Sequence, residues 1–176
     1  NPTGALIKQP MLEKIVEIAD AADAYLLCDE VYRGTAQVGD GMVPSIADMY
    51  RKGISTAGMS KVFSLAGLRL GWVAAPEDVT EKIMIHRDYD TISVGMLNDH
   101  FAAIALENAD NVLSRSRQIT RENLAILEEW INNEPRVSWV KPRAGTTAML
   151  KLDIPMSSRE FCIDLVEKTG VMLTPG

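Results

Sequence analysis

Cysteine and histidine are scarce in this chain: two of each among 176 residues. Cys28 and Cys162 lie far apart in apolar surroundings, so they read as free, buried thiols of a reducing compartment and not as a disulfide framework. Together with His86 and His100 they show no metal-ligand spacing, so no metal is expected. A basic excess is also missing. Lys and Arg number 18 against 24 Asp and Glu, a net charge of −6, and no basic cluster offsets it, which argues against nucleic-acid binding. No apolar run is long enough to cross a membrane and no signal peptide is evident. Internal repeats and low-complexity segments are absent.

What is present suits a folded domain or slightly more than one. Hydrophobic residues make up 47% and charged residues 24%, enough apolar material for a core. Leu12, Ile15, Val16, Ala19 and Ala22 follow the spacing of one helical face, which predicts a helix over 10–23. The short runs "YLLCDE" (25–30), "ISTAG" (54–58) and "LRLGWVAAP" (68–76) read as strands. Helix-like and irregular stretches separate them, as in a mostly parallel α/β sheet. A helix is expected over 77–87, then a long helical stretch from about 97 to 132 with a bend at "ENADN" (107–111). "RVSWV" and "TTAMLKLD" are strand candidates around the "KPRAG" turn (141–145). Ser157 and Glu160 fit a capping box for a helix ending before Gly170, and "VMLT" (171–174) reads as a last strand. The change from strand–helix alternation to a long helix with short strands places a domain boundary near residue 110.

Polar groups gather at three points: "NPTG" at the start, "DEVY" (29–32) after one strand, and "SK" (60–61) after the next. Ligands of open α/β sheets bind outside the carboxyl ends of the strands, so these groups can converge on one crevice. An Asn, an Asp, a Tyr, a Lys and an Arg together meet the needs of one cofactor. A lysine amine condenses with the aldehyde of pyridoxal 5'-phosphate. A carboxylate keeps the pyridine nitrogen protonated. Tyr and Asn can donate hydrogen bonds to the phenolic oxygen, and a guanidinium with hydroxyls can hold the phosphate.

The ordered set N-P-T-G, D-E-V-Y and S-K-V-F-S-L-A-G-L-R-L-G-W resembles the fold-type I, class I/II aminotransferases. The likeness runs through the whole chain, since "KPRAGTTAMLKLD" and "GVMLTPG" look like parts of that family's small domain. The resemblance implies an α/β fold: residues 1–110 as the C-terminal part of a mostly parallel-sheet, cofactor-binding large domain, and 111–176 as an incomplete α+β small domain. It implies that Lys61 forms the Schiff base and moves the proton. Asp29 would pair with the pyridine nitrogen, Tyr32 and Asn1 would hydrogen-bond the phenolic oxygen, and Ser60 and Arg69 would hold the phosphate. Gly58 departs from the Ser or Thr of many members, so one phosphate contact is missing or replaced by a backbone N–H.

The resemblance further implies that a phosphate-binding loop and a ring-stacking aromatic precede "NPTG", and that a carboxylate-binding arginine follows the final "PG". The expectation is therefore a piece of a longer protein. The implied activity is ping-pong transamination between an amino acid and a 2-oxo acid, by a cytoplasmic homodimer. Two alternatives stay open. One is a β-lyase, decarboxylase or cyclase of the same fold. The other is a non-catalytic effector-sensing domain of a regulator.

Overall fold

The computed structural model describes residues 1–39 and 42–176. Its elements are α1 (Gln9–Ala21), β1 (Leu26–Asp29), α2 (Ile46–Met49), β2 (Gly53–Gly58), a 3₁₀ turn (Ala66–Leu68), β3 (Gly71–Ala74), α3 (Glu77–Arg87), α4 (Met96–Glu107), α5 (Ala109–Asn133), β4 (Val137–Trp139), β5 (Leu150–Leu152) and α6 (Ser158–Thr169). The expected bend in the long helical stretch is the break at Asn108 between α4 and α5. The capping box of Ser157 and Glu160 starts α6, and Gly170, at φ +73°, ends it. Among the described helices none is long and apolar enough to cross a membrane.

β1, β2 and β3 form one sheet in that order. β1 and β2 run parallel, with Asp29 opposite Thr56. β2 and β3 run antiparallel, with Gly58 opposite Gly71. The reversal has a simple cause. A parallel return needs a crossover long enough to travel back along the sheet. Residues 59–70 hold only the 3₁₀ turn and bring the chain straight back. The crossover from β1 to β2 is mostly irregular, with the single turn of α2 inside it. β4 and β5 pair antiparallel as a separate two-stranded sheet. "VMLT" forms no strand. Strand geometry needs a ladder partner, and these residues have none among the described ones; Met172 is 83% exposed.

Two apolar clusters hold the sheet. Leu12 and Ala19 of α1 pack with Ile46 and Tyr50, and Leu26 and Cys28 of β1 rest against them. Met59, Val62 and Phe63, just past β2, pack with Ala102 and Ala105 of α4 and Leu113 of α5; Trp72 of β3 lies against this group. Strand alternation divides β1: Leu26 and Cys28 face the first cluster, while Leu27 and Asp29 lie on the other, more open face. Both cysteines are free, as expected, but half-buried instead of buried.

Candidate active site

Asp29 ends β1, and Ser60 and Lys61 follow directly after β2, its parallel neighbour. Arg69 stands just before β3, which pairs with the last residues of β2. Four of the six residues singled out in the sequence therefore lie at one end of one sheet. The two acids of "DEVY" do different work. Glu30 accepts hydrogen bonds from Ser45 Oγ (3.1 Å) and the Ile46 amide (2.8 Å) and so fixes the start of α2. Asp29, on the opposite side of the strand, accepts only from the Val31 amide at 3.1 Å among its described contacts. No described cation pairs with it, which leaves carboxylate oxygen for a ligand.

Lys61 has an exposed side chain on a rigid base. The Met59 amide donates to Leu70 O (3.0 Å) and extends the β2–β3 ladder, and the Leu65 amide returns to Met59 O (2.9 Å). Val62 and Phe63, the next two residues, are 4% and 9% exposed. Phe63 packs edge-on to Trp72, with ring centroids 6.4 Å apart. From α5, Ser116 donates to Val62 O over 2.6 Å. Burial on one side and hydrogen bonds on both hold the Lys61 backbone, while its amine stays free of described ion pairs.

Arg69 adopts the left-handed conformation, φ +48°, at the end of the 3₁₀ turn, and its Nη1 donates to Ala66 O at 3.0 Å. Asn98 of α4 donates to Leu68 O (3.0 Å) and anchors this turn from outside. Gly58 pairs with Gly71 in the β2–β3 ladder. A Cβ there would lie 3.1 Å from Leu70 O and 3.2 Å from Gly71 Cα. The small residue thus fits a tight backbone approach, which accounts for the missing hydroxyl.

Tyr32 and Asn1 are joined to each other through the segment 142–147. Arg143 and Ala144 amides both donate to Gly4 O (2.7 and 3.0 Å), and the Gln37 amide donates to Arg143 O (2.8 Å). Thr35, fully buried, donates through Oγ1 to Tyr32 O (2.6 Å) and accepts from the Gly145 amide (3.1 Å). A Cβ on Gly145 would stand 3.8 Å from the Tyr32 ring, so the ring lies against this segment. Thr147 Oγ1 donates to Asn1 Oδ1 at 2.6 Å. A strap from the C-terminal third therefore ties "NPTG" to the loop that carries Tyr32.

This geometry sits in a chain that matches the family model "Aminotransferase class I and II" over residues 1–176. The chain belongs to that family. A PLP-dependent aminotransferase from Streptococcus suis 89-1591 superposes with a TM-score of 0.93 at 44% identity, covering 100% of this chain and 46% of that one. The PLP-dependent cyclase OrfR superposes with a TM-score of 0.91 at 28% identity, covering 99% of this chain and 48% of that one. Aromatic-amino-acid aminotransferase 2 of Thermococcus litoralis is 32% identical over 187 residues, 100% of this chain and 46% of that protein. The chain spans about half the length of the curated relatives it matches.

Several supporting residues lie outside the set that the family motifs single out. Ser116 carries a signal: it lies three residues past Leu113 on the buried stripe of α5, where a polar residue needs a partner. Glu30, Asn98 and Thr147 carry no comparable signal, because their partners come from distant segments.

Proposed function

We propose that this chain supplies the lysine and most of the cofactor contacts of a pyridoxal-phosphate-dependent aminotransferase. The observation that carries the reading is the shared sheet end: the Asp29 carboxylate and the Lys61 amine follow adjacent parallel strands, and described cations and anions leave both unpaired. The donor set fits the cofactor. A carboxylate suits a protonated ring nitrogen, a free amine suits an aldehyde, Arg69 and Ser60 suit a phosphate, and Tyr32 and Asn1 suit a phenolic oxygen.

Bound there, the cofactor would supply the electron sink and carry the amino group between an amino acid and a 2-oxo acid. Lys61 would hold the aldehyde carbon, and its freed amine would take the proton from the substrate's α-carbon as general base and deliver it, as general acid, to the carbon that had been the aldehyde's. Its anchored backbone restricts where the amine can reach, so the proton transfer occurs between groups already positioned. Asp29 keeps the ring nitrogen cationic. Residues 1–110 act as part of the cofactor domain and 111–176 as part of a second, smaller domain. A homodimer in the cytoplasm completes the reading; the two free thiols suit a reducing compartment.

A cyclase is the second reading, favoured by the likeness to OrfR. Both share the cofactor site and differ in product. The test is to add pyridoxal phosphate to the full-length protein, record the visible band, trap with borohydride and map the modified residue. Label on Lys61, with a keto acid formed from a supplied amino acid, supports transamination. A ring-closed product favours the cyclase. Label elsewhere, or normal transamination by Lys61→Ala, overturns the lysine assignment.

A further inference from the structure

Asn1 and Thr147 are 146 residues apart in the sequence, yet their side chains meet. The Thr147 hydroxyl lies 2.6 Å from Asn1 Oδ1 and 3.4 Å from Pro2 O. A hydroxyl has one proton to give, and the shorter contact takes it. The Asn1 amide is then no longer a free rotor. With Oδ1 committed to Thr147, the other arm of the same planar group is Nδ2, a donor with two N–H bonds. An asparagine that must donate to an anionic ring oxygen needs that arm presented and the carbonyl turned away.

The rest of the strap makes the contact a fixed one. Arg143 and Ala144 amides grip Gly4 O, and Gly145 grips the buried Thr35. The backbone on both sides of the Thr147–Asn1 pair is thereby held in register. The same strap lies against the Tyr32 ring, so the two groups assigned to the phenolic oxygen share one support.

We infer that Thr147 is a positioning residue: its hydroxyl orients the Asn1 amide so that Nδ2 donates to the cofactor's phenolic oxygen. This inference rests on the cofactor reading above. An N–H donor there favours the anionic oxygen, and favours it most once the neighbouring linkage nitrogen has lost its proton. It therefore holds that nitrogen's titration midpoint down. Losing the orientation raises the midpoint.

The test is a visible-absorption pH titration of the full-length protein with pyridoxal phosphate bound, for wild type, Thr147→Val, Thr147→Ser and Asn1→Ala. Thr147 is exposed, so Val, of nearly the same shape, removes the hydroxyl with little effect on packing. Thr147→Val is expected to raise the midpoint by roughly 0.5–1 pH unit, the size of one modest hydrogen bond. Thr147→Ser keeps the hydroxyl and the wild-type midpoint. Asn1→Ala raises the midpoint at least as far, and adding Thr147→Val to it changes nothing more. An unmoved midpoint in Thr147→Val, or equal shifts in Val and Ser, overturns the inference while the cofactor reading stands. Failure of borohydride to label Lys61 in wild type removes both.

Discussion

Ser116 of α5 donates its hydroxyl proton to the carbonyl oxygen of Val62 over 2.6 Å, and the two residues are 5% and 4% exposed. Val62 follows Lys61 directly. α5 thus fixes the turn that carries the Lys61 amine, and its role is one of support.

Ser116→Ala leaves that carbonyl buried without a partner. The expected cost is about 1–3 kcal/mol, the desolvation of an unsatisfied buried polar group. Denaturant titration of the full-length protein would show it. Cofactor trapping at Lys61 should persist, with slower turnover, because the turn loosens but keeps its lysine. A stability equal to wild type would contradict the role given to this bond.

Gly4→Ala should be more damaging. Gly4 has φ +67°, and a Cβ there would lie 2.4 Å from Pro142 Cβ and 2.9 Å from Pro142 Cα. Left-handed strain and the clash together should cost roughly 2–4 kcal/mol. The clash pries the strap from "NPTG", so cofactor affinity should fall with stability. Measuring both in one variant distinguishes this from local strain alone, which would lower stability and leave affinity unchanged.

Asp23 offers a pH test away from the site. Hydrogen bonds from Arg51 and Lys52, with the charge of Lys52, lower its pKa from 3.8 to about 2. Arg51 Nη2 and Lys52 Nζ each lie 2.7 Å from Asp23 Oδ1. A carboxylate depressed in the folded state stabilises it above its unfolded pKa, and the contribution fades as pH falls through the folded value. The stability advantage of wild type over Asp23→Asn should therefore be nearly full above about pH 4, fade as pH falls toward the folded pKa of about 2, and be gone only below it. Added salt should shrink it, since the group is exposed. An advantage independent of pH would point to packing instead of charge.

Local chemistry was legible in the sequence where spacing alone carries it. The α1 face, the capping box of α6, the break near residue 108 and the ordered N-P-T-G, D-E-V-Y and S-K motifs all depend on neighbours within a few residues, and all but the motifs' proposed roles are seen in the fold, save that α1 ends at Ala21 and leaves Ala22 exposed beyond it. "VMLT" shows the limit. Its composition suits a strand, but a strand forms only against a partner ladder, and composition does not report partners.

The amino-acid sequence by itself determined which residues could serve the chemistry and the helices and strands that carry them, because side-chain type and periodicity are local properties. Tertiary structure alone decided that Asp29 and Lys61 share a sheet end, that Glu30 is diverted to α2, that β3 runs back antiparallel, and that Thr147 meets Asn1. Each of these joins groups far apart in the chain or divides groups that are adjacent, and only strand alternation, register and packing set such distances.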